Sequence, residues 1–92
     1  MDDIIFHDFD IEIDPEEPLF IISVASDMSG LPIWTLRKLD CLGVVEADRR
    51  GKKIRCYSKK QITKLKYIRY LMEEKNVNIS GIKIILEMEE SQ

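Results

Sequence analysis

Two short stretches of the chain, residues 22–28 and 33–39, carry apolar side chains at helical spacing. Val24, Ala25 and Met28 form the first stripe, and Ile33, Leu36 and Leu39 form the second. Ser23 stands where an N-cap is wanted, with a hydroxyl able to accept from a free backbone N–H. Ser29-Gly30-Leu31-Pro32 separates the stripes. Gly30 can take the left-handed conformation that ends a helix, and Pro32 suits the first turn of the next, where no backbone donor is required. Two short helices joined by a Gly-containing turn outline a helix-turn-helix. Gly43 after Leu42 ends the second helix or begins the next turn.

Beyond Gly43 the pattern changes. Val44-Val45 and Ile54-Arg55-Cys56-Tyr57 are β-prone and flank Arg49-Arg50-Gly51-Lys52-Lys53. This predicts a hairpin with a basic tip. Ser58 followed three residues later by Gln61 has the spacing of a capping box. The helix it opens carries Ile62, Leu65, Ile68 and either Leu71 or Met72 on its inner stripe, and it ends near Lys75-Asn76. Asn78 is the N-cap expected for a last helix over residues 79–89, with Ile79, Ile82, Ile85 and Leu86 inward. Gly81 weakens that helix slightly, and its small size is expected to let another helix approach. Ile84 and Met88 lie off the stripe and are a candidate dimer surface. Ahead of the helix-turn-helix, Leu19-Phe20-Ile21-Ile22 is a short apolar run. Asp14-Pro15-Glu16-Glu17-Pro18 breaks a strand-like alternation from Phe9 to Ile13.

Charge divides the chain more sharply than hydropathy does. The net charge is −3, yet residues 1–18 hold eight acids and no Lys or Arg. Residues 33–75 hold 13 bases against five acids. The expected organisation is an acidic, flexible N-terminal arm over residues 1–18 and a folded domain over residues 19–92. The arm could be solvated, add a strand, dock on a partner or mask the basic surface. A basic body of this kind points to a polyanionic partner.

Several classes find no support. Cys41 and Cys56 share no metal-ligand spacing and are expected to be reduced structural thiols. No apolar run approaches the roughly 18 residues of a bilayer span, and the Met-Asp-Asp start lacks the basic region of a signal peptide. The expectation is a cytoplasmic, nucleoid-associated protein with no membrane partner. His7 is the only histidine. There is no phosphate-cradling glycine loop, no metal cluster and no catalytic constellation, so neither an enzyme nor a cofactor is expected.

The order of helix-turn-helix, basic wing, long helix and short helix resembles the MerR-type winged-helix DNA-binding family. The motif residues are Thr35-Leu36-Arg37, Gly43 and Arg55-Cys56-Tyr57-Ser58. Within that family the chain is similar to the heat-shock repressor (HspR) subgroup. Three stretches carry this: Ile22-Ser23-Val24-Ala25 with Gly30; Leu39-Asp40-Cys41-Leu42-Gly43-Val44-Val45; and Val77-Asn78-Ile79-Ser80-Gly81-Ile82-Lys83-Ile84-Ile85-Leu86-Glu87. The resemblance covers about residues 18–90. It implies a mostly α fold, a winged helix-turn-helix with a short β-hairpin wing and two further helices. It also implies a sequence-specific homodimer on an inverted repeat of double-stranded DNA, repressing chaperone genes with a DnaK-type chaperone as co-repressor.

By the same resemblance Thr35 and Arg37 sit in the recognition helix, with Arg37 near base edges or phosphate. Arg49, Arg50, Lys52, Lys53 and Arg55 hold the wing on the backbone. Tyr57 braces the wing or touches phosphate. Independently of the resemblance, the helix start that directly follows the wing places Lys59 and Lys60 where they could continue the phosphate track. The chain departs from the pattern at Pro32-Ile33-Trp34, where a polar base-reader is usual, and at Lys38-Leu39, where an aromatic is usual. Trp34 is therefore open to three readings: packing, contact with thymine methyls, or a changed target, with Lys38 beside it on the same helix. The usual long dimerisation helix is short or absent, which fits either a shortened chain or a minimal member that dimerises otherwise. Two other functions remain: a protein-binding modulator of a chaperone or co-chaperone, and a small architectural or excisionase-like DNA-binding protein.

Overall fold

A computed structural model describes residues 13–51 and 53–91. The elements follow as β1 (Pro18–Ile21), α1 (Ile22–Ser29), α2 (Ile33–Cys41), β2 (Asp48–Arg50), β3 (Ile54–Ser58), α3 (Lys59–Glu74) and α4 (Ile79–Glu90). The alternation from Phe9 to Ile13 lies largely outside the described residues. Among those residues no helix is long and apolar enough to cross a membrane. Cys41 is exposed, Cys56 is buried, and both are free thiols.

The strands form one antiparallel sheet in the order β1-β3-β2. β2 and β3 make the expected hairpin, with Asp48 opposite Cys56 and Arg50 opposite Ile54. Val44 and Val45 are not part of it. Both their amides donate to the Leu39 carbonyl, at 2.9 and 3.3 Å, and both side chains enter the core. Gly43, with φ +74°, makes that reversal possible. The apolar run at Leu19 is a strand too: Phe20 pairs with Tyr57 and Ile21 with Cys56. Ile21 then passes directly into α1 as its extended N-cap, with no side-chain cap. Ser23 is exposed and does not cap.

The inner face of α1 also differs from the expected stripe. Ala25 and Ser29 are buried, Ile22 is half-buried, and Val24 and Met28 point outward. The i, i+3, i+7 spacing selects Ser29 over Met28 because Ser29 has a polar task. Its hydroxyl accepts from the Leu31 N–H at 3.2 Å, and the Ser26 hydroxyl donates to the Leu31 carbonyl at 2.6 Å. These bonds fix the helix-turn-helix corner. Gly30 caps α1 with φ +80°, and its N–H reaches the Ser26 carbonyl at 2.9 Å. Pro32 is the extended N-cap of α2 rather than a residue of its first turn.

A Cβ at Gly30 would be strained in the left-handed region and would stand 2.9 Å from Cδ and Nε of Arg69. Gly30→Ala is expected to lower stability by about 1–2 kcal/mol, read as a shift in the urea midpoint with the slope unchanged. An unchanged midpoint would contradict this reading of the corner.

The two long helices start where the sequence placed them. Ser58 and Gln61 complete a reciprocal capping box on α3, and Asn78 accepts from the Gly81 N–H on α4. Ile62, Leu65, Ile68 and Leu71 are buried along α3; Ile82 and Leu86 on α4 close the core below them. Met72, Ile79 and Ile85 pack at its margin. Gly81 does not admit another helix. A Cβ there would meet Val77 Cγ1 at 2.8 Å, so the close approach is the chain's own entry into α4.

Candidate nucleic-acid interface

Helix α2 has two faces separated by its 3.6-residue period. Thr35, Leu36 and Leu39 point into the core and are at most 1% exposed. Trp34, Arg37, Lys38 and Cys41 lie on the opposite face and are exposed. This corrects the expectation for Thr35: it stands one helical turn before Leu39 and shares its buried face, so its hydroxyl does not face outward. It settles the surroundings of Trp34 as well. The indole is 64% exposed and does not belong to the core.

The wing is held against the C-terminal end of α2 by one carboxylate. Asp40 Oδ2 accepts from Arg55 Nε at 2.8 Å and from Arg49 Nη2 at 2.9 Å, while Oδ1 accepts from the Ala47 N–H at 3.1 Å. The Asp40 side chain is only 9% exposed. Burial pushes its pKa up, but the Arg55 hydrogen bond, the Ala47 N–H and Arg49 together hold it below the usual carboxylate value. The Arg55 pKa is raised chiefly by the same hydrogen bond. Arg55 is thus spent inside the protein, and Arg49 is partly so. The role on DNA backbone expected for Arg55 is corrected to that of a clamp.

Asp40 was visible in the sequence only as part of a family-like stretch, not as a site residue. The available signal was the single acid of α2, next to Arg37 and Lys38 and close to the helix end. Its partners stand nine and fifteen residues away, beyond any local pattern.

Tyr57 is fully buried, which excludes direct phosphate contact and leaves the bracing role. Its ring belongs to the buried hydrophobic core. Its hydroxyl is buried with no hydrogen-bond partner among the described residues, and burial followed by the nearby Asp40 charge pushes its pKa up to about 12.

Among the described residues of α2, the wing and the first turn of α3, the exposed cations apart from Arg49 and Lys60 are Arg37 and Lys38 on α2, Arg50 on β2, Lys53 in the wing turn and Lys59 at the start of α3. Lys52 lies outside the described residues. Lys60 is exposed but engaged: its ammonium is 3.2 Å from Glu16, and its N–H donates to the Pro15 carbonyl at 3.0 Å. The face therefore combines a cationic helix stripe with a cationic wing whose angle to that helix is set by Asp40. Among the described residues no group of three or more His, Cys, Asp and Glu side chains is placed to hold a metal.

Comparison with known proteins gives two findings. Residues 20–89 match the family described as MerR HTH family regulatory protein. The chain is also 40% identical over 78 residues to a Streptomyces coelicolor protein carrying the provisional name heat shock protein HspR. That match covers 85% of this chain and 52% of the relative, so the chain spans about half the relative's length.

Proposed function

The chain belongs to the MerR family of helix-turn-helix regulatory proteins, and we propose that it is a sequence-specific DNA-binding repressor of stress-response genes. The observation that carries this reading is the outward stripe of Trp34, Arg37 and Lys38 beside a wing clamped through Asp40. A helix of this kind enters the major groove while a wing follows the backbone. In the proposal Arg37 reads a base edge, and Trp34 lies against thymine methyls. Arg50, Lys53, Lys59 and the free part of Arg49 neutralise phosphates, and Lys52 joins them by its place in the sequence.

The likeness to an HspR protein supports heat-shock or chaperone genes as the target class. The proposal further includes a homodimer on an inverted repeat, with a DnaK-type chaperone as co-repressor, as the resemblance of the sequence motifs implies. Two half-sites would then be separated by about one helical turn, roughly 34 Å.

The test is a titration of labelled duplex DNA over a range of salt. Binding should weaken linearly in log–log form, because neutralised phosphates release counterions. Lys59→Ala should weaken binding to every sequence alike and reduce the salt slope by about one. Binding that is absent at low salt, or indifferent to salt, would sink the proposal.

A further inference from the structure

The acidic arm is the one strong sequence feature that this function does not use. Its described end is not free of the body. The Pro15 carbonyl takes the Lys60 N–H, an amide in the first turn of α3 that would otherwise be open to an anion. Glu16 takes the Lys60 ammonium at 3.2 Å. Asp14 closes a turn just before this, accepting from the Glu16 N–H at 2.9 Å and, through its carbonyl, from the Glu17 N–H at 3.0 Å. The chain therefore leaves the arm at the helix end that adjoins the wing, through β3 and Ser58.

Upstream lie Asp2, Asp3, Asp8, Asp10 and Glu12, interleaved with Ile4, Ile5, Phe6, Phe9 and Ile11. Twelve residues can reach about 40 Å, against a longest molecular dimension of 44 Å. The cleft where the arm enters is bordered by Glu46 and Asp48. Those charges repel the arm's acids locally and leave the cations of α2 and the wing as their complement. Trp34, Leu42 and Ile79 line an open groove beside Lys38, which offers the arm's apolar residues a surface next to a cation.

We infer that residues 1–16 act as an intramolecular competitor of DNA: the arm's carboxylates occupy the cationic face of α2 and the wing, and duplex DNA must displace them. This rests on the DNA-binding reading above. It extends that reading by assigning the arm the place of the phosphates. Lys60, held by Pro15 and Glu16, is the fixed end of the contact.

The test uses the full chain and the variant Asp8→Asn, Asp10→Asn, Glu12→Gln, which keeps every apolar residue and changes nothing in the described fold. Two quantities are measured: duplex affinity at low and physiological salt, and backbone amide shifts without DNA. The expected result is an affinity gain of about tenfold at low salt that shrinks as salt rises. Amide shifts should concentrate at Arg37, Lys38, Arg50 and Lys59, with Lys83 and Met88 on α4 unmoved. An affinity gain without those shifts would overturn the inference, since it would reflect net charge alone. Equal affinity and no shifts would overturn it too, while leaving DNA binding intact. If neither form binds duplex at low salt, the DNA-binding reading fails and the competitor falls with it.

Discussion

Asp40→Ala is expected to destabilise the protein by about 2–3 kcal/mol and to weaken duplex binding through the wing rather than through any lost contact. Hydrogen bonds to charged groups contribute about 1.5–3 kcal/mol when one partner is buried. Arg49 is 47% exposed on its side chain, so water replaces most of what it loses. Arg55 is 21% exposed and the Ala47 N–H is part-buried, so these carry the main cost.

The pH dependence has a definite sign. Asp40 has a lower pKa folded than the ordinary value of 3.8, so its contribution is fully present above that value. It is lost as pH falls below 3.8 through the folded pKa. Urea unfolding from pH 6 down to pH 2 should show this acid limb in the parent chain and a flatter one in Asp40→Ala. Asp40→Asn keeps an acceptor for Ala47 and should fall between them. Equal stability of parent and Asp40→Ala at pH 7 would mean that the clamp does not hold the wing.

Arg37→Ala is expected to cost about 1–3 kcal/mol in binding to the selected site, roughly 5- to 150-fold in affinity, and much less on random duplex. Arg37 is exposed on the middle of α2, so its removal leaves the core and the clamp untouched. Unfolding curves of the variant should overlay the parent's. A uniform loss on all sequences would place Arg37 on phosphate instead of a base edge.

The parts of this fold that could be read from the sequence are those set by near neighbours. Ser58 with Gln61, Asn78 with Gly81, and Gly30 at its corner are each defined within three or four residues, and each stands as expected. Two kinds of feature were not legible, for different reasons. β1 exists because Phe20 and Ile21 pair with Tyr57 and Cys56, a non-local contact that no short window contains. Ser29 and Thr35 are polar residues on inner faces, so a stripe drawn from apolar residues alone misses both.

The site shows the same division. Arg37 and Lys38 were identified by type and position on a helix. Arg55 was assigned to the DNA backbone through the family resemblance, and its partner Asp40 fifteen residues earlier engages it in the protein's own scaffold. Counting cations therefore overstates the surface available to DNA, because several of them are already neutralised from within.

Sequence-specific recognition by the outward face of α2 with its clamped wing is decided by selection of the full chain against a pool of random duplex DNA. Enrichment of a motif with two inverted half-sites is expected, with loss of that preference in Arg37→Ala while salt-dependent binding persists. A pool that stays random after repeated rounds, from a chain that instead binds a DnaK-type chaperone or its J-protein partner tightly, would contradict it.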